Sequence, residues 1–138
     1  MTAFVGLPLE RLEDYRLLRG EAQFVDDVVV DGMVYMAVLR SPVAHGIIRA
    51  IDLSEARAMD GVVAAFAGPD FAALPVIPLR LAPVEGVERF LQRPIASEKV
   101  RFVGEPVAVV VATSPEIAED ALERIAVDID PLPAVMSW

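Results

Sequence analysis

The sequence predicts an α+β domain, and three observations predict it. Short stretches rich in valine and isoleucine recur between turn residues from Val28 to Ile129, as strands do. One of them, Val107 to Ala112, is apolar without interruption, so both of its faces are expected to be covered, as in a central strand. After it, from Ser114, apolar residues return at helical spacing, at Ile117, Ala118, Ala121, Leu122 and Ile125. With a second short helix near Ser54 and no internal repeat, the class is several strands and two helices.

Residues 1–26 read as an N-terminal arm, dense in charge (Glu10, Arg11, Glu13, Asp14, Arg16, Arg19, Glu21) and poor in periodic apolar positions. A helical turn is expected over Leu12 to Leu18, stopped by Gly20, whose missing Cβ suits a left-handed cap. Residues 27–135 form the domain proper. Val28 to Val30 and Val34 to Leu39 flank Asp31-Gly32, the pairing that marks a β-hairpin because glycine accepts the positive φ of the turn. The second strand ends near Arg40, since Ser41-Pro42 removes a backbone donor. A further strand is expected from Ala44 to Ile51, then a short helix from Ser54 to Met59, with the Ser54 hydroxyl as its cap and Gly61 closing it. Val62 to Phe66 follows as a strand.

Residues 67–97 carry prolines at 69, 75, 78, 83 and 94 and glycines at 68 and 86, so little regular structure is expected there. Val76, Ile77, Leu79, Leu81 and Val84 lie in that stretch with few ways to bury themselves, the composition of an exposed apolar patch. Lys99 to Val103 alternates as a half-buried strand, and Gly104-Glu105-Pro106 makes a turn into Val107. Ser114-Pro115-Glu116 is a helix start: a hydroxyl acceptor, a proline at the first position, and a carboxylate at the positive end of the dipole. Val127 and Ile129 alternate in a last strand, ended by Pro131-Leu132-Pro133.

Composition excludes several functions. The 138 residues are 55% hydrophobic and 24% charged, a globular balance long enough for a core without staples. Twelve basic against 21 acidic residues give a net charge of −9, with eleven arginines and one lysine, which argues against nucleic acid as a partner. Cysteine is absent, which removes disulfides, thiolate zinc and cysteine-held iron–sulfur clusters, and a single histidine removes sites needing two imidazoles. No signal-peptide pattern opens the chain, and no apolar run is long enough to span a bilayer, so the expected location is cytoplasmic with no membrane partner.

The inventory of reactive side chains is thin. Ser41, His45 and Asp52 or Asp60 could in principle supply a nucleophile, a base and an orienting acid, but no G-x-S-x-G elbow frames Ser41. The expected role of Ser41 and His45 is to pin a turn after a strand. Asp26, Asp27 and Asp31 lack the order of a calcium loop and read as solvated hairpin carboxylates. Glu105, alone at the mouth of an apolar strand, reads as a turn residue. No glycine-rich phosphate cradle occurs. The expectation is therefore no catalytic, cofactor-binding or metal-binding residue in this chain.

The order of short motifs carries more than any single residue. Val5-Gly6-Leu7-Pro8 with Arg11 and Glu13-Asp14 comes first, then Leu18-Arg19-Gly20 and Phe24 with Asp26-Asp27. Arg40-Ser41-Pro42 with Ala44-His45 follows, then Ile48 and Ile51-Asp52. Lys99-Val100-Arg101 with Val103-Gly104-Glu105-Pro106-Val107-Ala108 and Asp130-Pro131-Leu132-Pro133-Ala134-Val135 complete the series. Over essentially its whole length the chain resembles the N-terminal α/β-hammerhead domain of the molybdenum-binding large subunit of the xanthine dehydrogenase, aldehyde oxidase and carbon monoxide dehydrogenase family.

That resemblance implies a mixed sheet with two short helices packed on it. It also implies a structural and docking domain of a molybdenum hydroxylase acting on an aldehyde, purine or similar small molecule. Molybdopterin, FAD and iron–sulfur clusters would belong to the intact complex, and the partner would be the remaining large-subunit polypeptide. In the family the pterin-binding loops and the glutamate base lie beyond the hammerhead, so none is carried over to this chain, which by itself is expected to be inactive. Two departures stand out: Gly46, where the family usually has alanine and which is expected to loosen its strand, and Met136-Ser137-Trp138, which leaves the pattern. The alternative is a free-standing protein-binding module that kept the fold without the enzyme. Isolated, the chain is expected to self-associate, most simply as a homodimer.

Overall fold

The computed structural model describes residues 5–79 and 85–136, in two units that meet in sequence at Met33 and Val34. In the first unit, α1 (Asp14–Leu18) forms where the turn was expected but starts two residues later. Asp14 takes the Arg11 backbone N–H at 3.0 Å and its Nε at 2.8 Å, fixing the entry to the helix. Gly20, at φ +69°, closes it by donating to the Leu17 carbonyl at 3.2 Å. A single 3-10 turn, Val25–Asp27, is held by the Asp27 carboxylate on the Phe24 N–H at 2.8 Å.

The hairpin expected at Asp31-Gly32 does not form. The turn is present, with Met33 N–H on the Val30 carbonyl at 3.0 Å and Gly32 at φ +78°, but Val28 to Val30 is not a strand. The backbone before it is curled into the 3-10 turn. The strand after it, β1 (Tyr35–Arg40), pairs instead with β5 (Pro106–Ala112), from Tyr35 opposite Ala112 to Arg40 opposite Pro106. An apolar partner that can be covered on both faces outweighs a good local turn.

The second unit holds two three-stranded sheets, antiparallel throughout, where one mixed sheet was expected; the α/β-hammerhead class stands. One sheet runs β1-β5-β3, with β3 at Val62–Ala67; the other runs β4-β2-β6, with β4 at Lys99–Val100, β2 at Gly46–Asp52 and β6 at Ala126–Pro131. The bend at Ser41 to His45 carries the chain from one sheet to the other. β5 is central, and Val107, Ala108, Val109, Val110 and Ala112 are all buried, as its unbroken apolar run requires.

The second helix, α2 (Ser54–Arg57), is shorter than expected and is not capped by the Ser54 hydroxyl; the Asp52 carboxylate accepts the Ser54 N–H at 2.9 Å instead. The third, α3 (Pro115–Leu122), is capped as expected, Ser114 Oγ accepting the Ile117 N–H at 3.3 Å. Its Ala118 and Ala121 are fully buried against Ala37, Ala112, Ala65 and Ala108, small side chains that let helix and sheet approach closely. Between the two sheets, Val100, Val107 and Ala96 pack with Ile48, Ile51 and Ile129.

The strand expected over Lys99 to Val103 stops at Val100, because the Arg101 N–H turns to the Glu105 carboxylate rather than to a neighbouring strand. The described part of residues 67–97 carries two 3-10 turns, Gly68–Phe71 and Val87–Phe90, and the ends of the stretch are fastened. A Cβ at Gly68 would run into the Ala96 carbonyl oxygen, and the Ala96 N–H reaches the Pro106 carbonyl at 2.8 Å. Gly46 does not loosen β2: a Cβ there would meet Ile129 Cγ2 at 2.5 Å and the Asp130 carbonyl oxygen at 2.9 Å, so its bareness lets β6 close on β2.

Candidate functional site

Ser41 is buried and committed: its Oγ donates to the Val43 carbonyl at 2.8 Å and accepts the Val43 N–H at 3.0 Å. His45 Nδ1 lies 2.9 Å from the Pro133 carbonyl, which can only accept, so Nδ1 carries the proton. Asp52 is spent at the start of α2, and the Ser54 N–H lowers its pKa. The structure therefore does not assemble Ser41, His45 and Asp52 into a relay; Ser41 and His45 pin the bend between the sheets.

Among the described residues, Glu105 is the other buried polar side chain. The Arg101 N–H donates to its Oε2, and Arg101 Nη1 lies 3.4 Å from Oε1. Its backbone carbonyl accepts the Ser41 N–H at 2.9 Å, and the Gly104 N–H returns to the Ser41 carbonyl at 2.8 Å. Arg40 Nη1 reaches the Gly104 carbonyl at 2.9 Å. Together these bonds staple the 41–45 bend to the 104–106 turn. A turn residue is what the sequence indicates for Glu105; its burial is not legible there, because it arises from a carboxylate folding back onto its own loop.

The donor set of the described residues does not fit a metal. No three His, Asp or Glu converge, and no buried side-chain nitrogen or oxygen lacks a partner. Of the acidic cluster, Asp27 is used locally on Phe24. No step at a molybdenum cofactor is therefore assigned to this chain's own side chains. No helix among the described residues is long and apolar enough to cross a membrane.

One feature was not legible in the sequence, an open cleft of about 490 Å³ beside the stapled bend. His45, Arg89, Lys99 and Arg101 give it its polar side, and Phe90, Phe102 and Val103 an apolar one. Part of its signal was present: in a chain of net charge −9, Lys99 and Arg101 stand at alternate positions, with Arg89 upstream. Only folding brings residues 89, 99 and 101 to the same hollow as residues 134–136. Of the apolar patch expected in the proline-rich stretch, Val76, Ile77 and Leu79 are exposed; Leu81 and Val84 lie outside the described residues.

Residues 19–133 match the family model for the aldehyde oxidase and xanthine dehydrogenase a/b hammerhead domain. The carbon monoxide dehydrogenase large chain of Afipia carboxidovorans is 37% identical over 132 residues, covering 96% of this chain and 16% of that protein. The xanthine dehydrogenase molybdenum-binding subunit of Escherichia coli O157:H7 is 32% identical over 130 residues, 91% of this chain and 17% of that subunit. Among solved structures, quinoline 2-oxidoreductase from Pseudomonas putida 86 superposes with a TM-score of 0.80 at 44% identity, over 92% of this chain and 16% of that one. The chain thus spans about a sixth of the length of the curated relatives it matches.

Proposed function

The chain belongs to the aldehyde oxidase and xanthine dehydrogenase a/b hammerhead family, and on that premise we propose that it is a non-catalytic structural and docking domain of a molybdenum hydroxylase. The remaining large-subunit polypeptide is its partner and carries the molybdopterin. FAD and iron–sulfur clusters belong to the same complex, which works in the cytoplasm on an aldehyde, a purine or a related small molecule. The observation that carries this reading is one of extent: the match runs along almost all of this chain but only 16% of that carbon monoxide dehydrogenase chain and 17% of that xanthine dehydrogenase subunit. The side chains support it, since Ser41, Asp52 and Glu105 are each engaged in holding backbone.

The test is metal analysis and turnover of the purified chain. The expected result is substoichiometric molybdenum and no hydroxylation of aldehyde or purine substrates. Stoichiometric molybdenum bound to this chain alone overturns the reading.

A further inference from the structure

The cleft beside the stapled bend reverses the charge of the rest of the chain. Its lining includes Arg89, Lys99 and Arg101 with the His45 ring, and no carboxylate among the described residues, although the chain carries nine more acidic than basic residues. Arg101 is partly engaged by Glu105 at 3.4 Å, whereas Arg89 and Lys99 enter no ion pair among the described residues. The Arg89 guanidinium stands 4.8 Å from the centre of the Phe90 ring, and Phe90 is 64% exposed. Phe102 and Val103 expose a second stretch of apolar surface in the same hollow. Phe90 also borders a neighbouring apolar hollow formed with Ile77, Leu79 and Leu91, so the apolar surface continues onto the proline-rich segment.

We infer that this cleft is the docking site for a peptide segment that carries carboxylates around an aromatic or aliphatic anchor, supplied by the remaining large-subunit polypeptide. Charge complementarity selects the occupant. Arg89 and Lys99, from two separate stretches, converge where no carboxylate among the described residues pairs with them, so an acidic partner gains steering and register there. A small carboxylate would leave the Phe90, Phe102 and Val103 surface wet, whereas a peptide with an apolar anchor covers it. The inference rests on the docking reading above and deepens it by naming the surface and the chemistry of what it holds.

The test uses the 138-residue chain, isotope-labelled for amide NMR, with three synthetic peptide pools. In each pool one Phe or Leu is flanked by randomised positions, drawn from Asp and Glu, from Asn and Gln, or from Lys and Arg; benzoate is the small-carboxylate arm. The acidic pool is expected to shift amides at 89–90, 99–103 and 134–136. Arg89→Glu, at an exposed position, combined with Lys99→Glu, at a half-buried one, is expected to weaken that binding at least tenfold while the rest of the spectrum superimposes. No shift with the acidic pool, equal binding of the neutral or basic pool or of benzoate, shifts confined to other regions, or unchanged binding by the variant would each overturn the cleft assignment. A wild-type complex with the large-subunit polypeptide that survives the double reversal undiminished would also overturn it, while leaving docking itself standing. Failure of the wild type to form that complex counts against docking, and the peptide titration still reads the cleft independently.

Discussion

Glu105 sits 3% exposed between Gly104 and Pro106, and it holds the Arg101 N–H in place of a strand partner. A buried carboxylate is tolerated only where its oxygens are satisfied, and here one backbone donor and one guanidinium do so. Glu105→Ala should cost about 1.5–3 kcal/mol, the worth of a hydrogen bond to a charged group, and Glu105→Gln less, because an oxygen remains to accept. Urea unfolding of both variants checks this; an alanine variant as stable as wild type would mean that the Arg101 N–H finds another partner. The same scale governs acid sensitivity. The Ser54 N–H lowers the Asp52 pKa, and the Glu116 carboxyl is lowered by its own backbone N–H and then by the Ser114 side chain. With folded values below unfolded ones, the unfolded chain binds more protons, so this stabilisation is present at neutral pH and is lost as pH falls through about 4 and below. Asp52→Asn and Glu116→Gln should each flatten the acid limb of a stability–pH curve. An unchanged limb in both would contradict it.

At the scale of elements, what was legible in the sequence was what local chemistry decides. Ser114-Pro115-Glu116 starts a helix because cap, proline and carboxylate all act within one turn, and β5 is central because its apolar run has no polar face. What was not legible was set by distant partners. Asp31-Gly32 makes its turn but loses its hairpin to β5, some seventy residues on, and β4 ends early because of a carboxylate in the following loop. The cleft was hidden for the same reason, since its lining comes from segments far apart in sequence. Leu122 packs on both helix-side core clusters while remaining partly exposed. Leu122→Ala should therefore fall near the lower end of the roughly 2–5 kcal/mol range for buried leucine truncation. A loss within about 0.5 kcal/mol in thermal unfolding would place the side chain outside the core.

For the molecule as a whole, the central claim is that this domain exists to be joined to a larger molybdenum-binding body. Exposed Val76, Ile77 and Leu79, together with the basic, aromatic cleft nearby, are surfaces of the kind that mark interaction sites. The net charge of −9 opposes indiscriminate aggregation, so a discrete association is expected. Sedimentation velocity tests the claim most directly, run on the chain alone over a range of concentrations and then mixed with the large-subunit polypeptide that follows the hammerhead. The account predicts a reversible, concentration-dependent dimer for the chain alone, displaced by a stable one-to-one complex in which all the molybdenum travels. A concentration-independent monomer that sediments unchanged beside that polypeptide would contradict it.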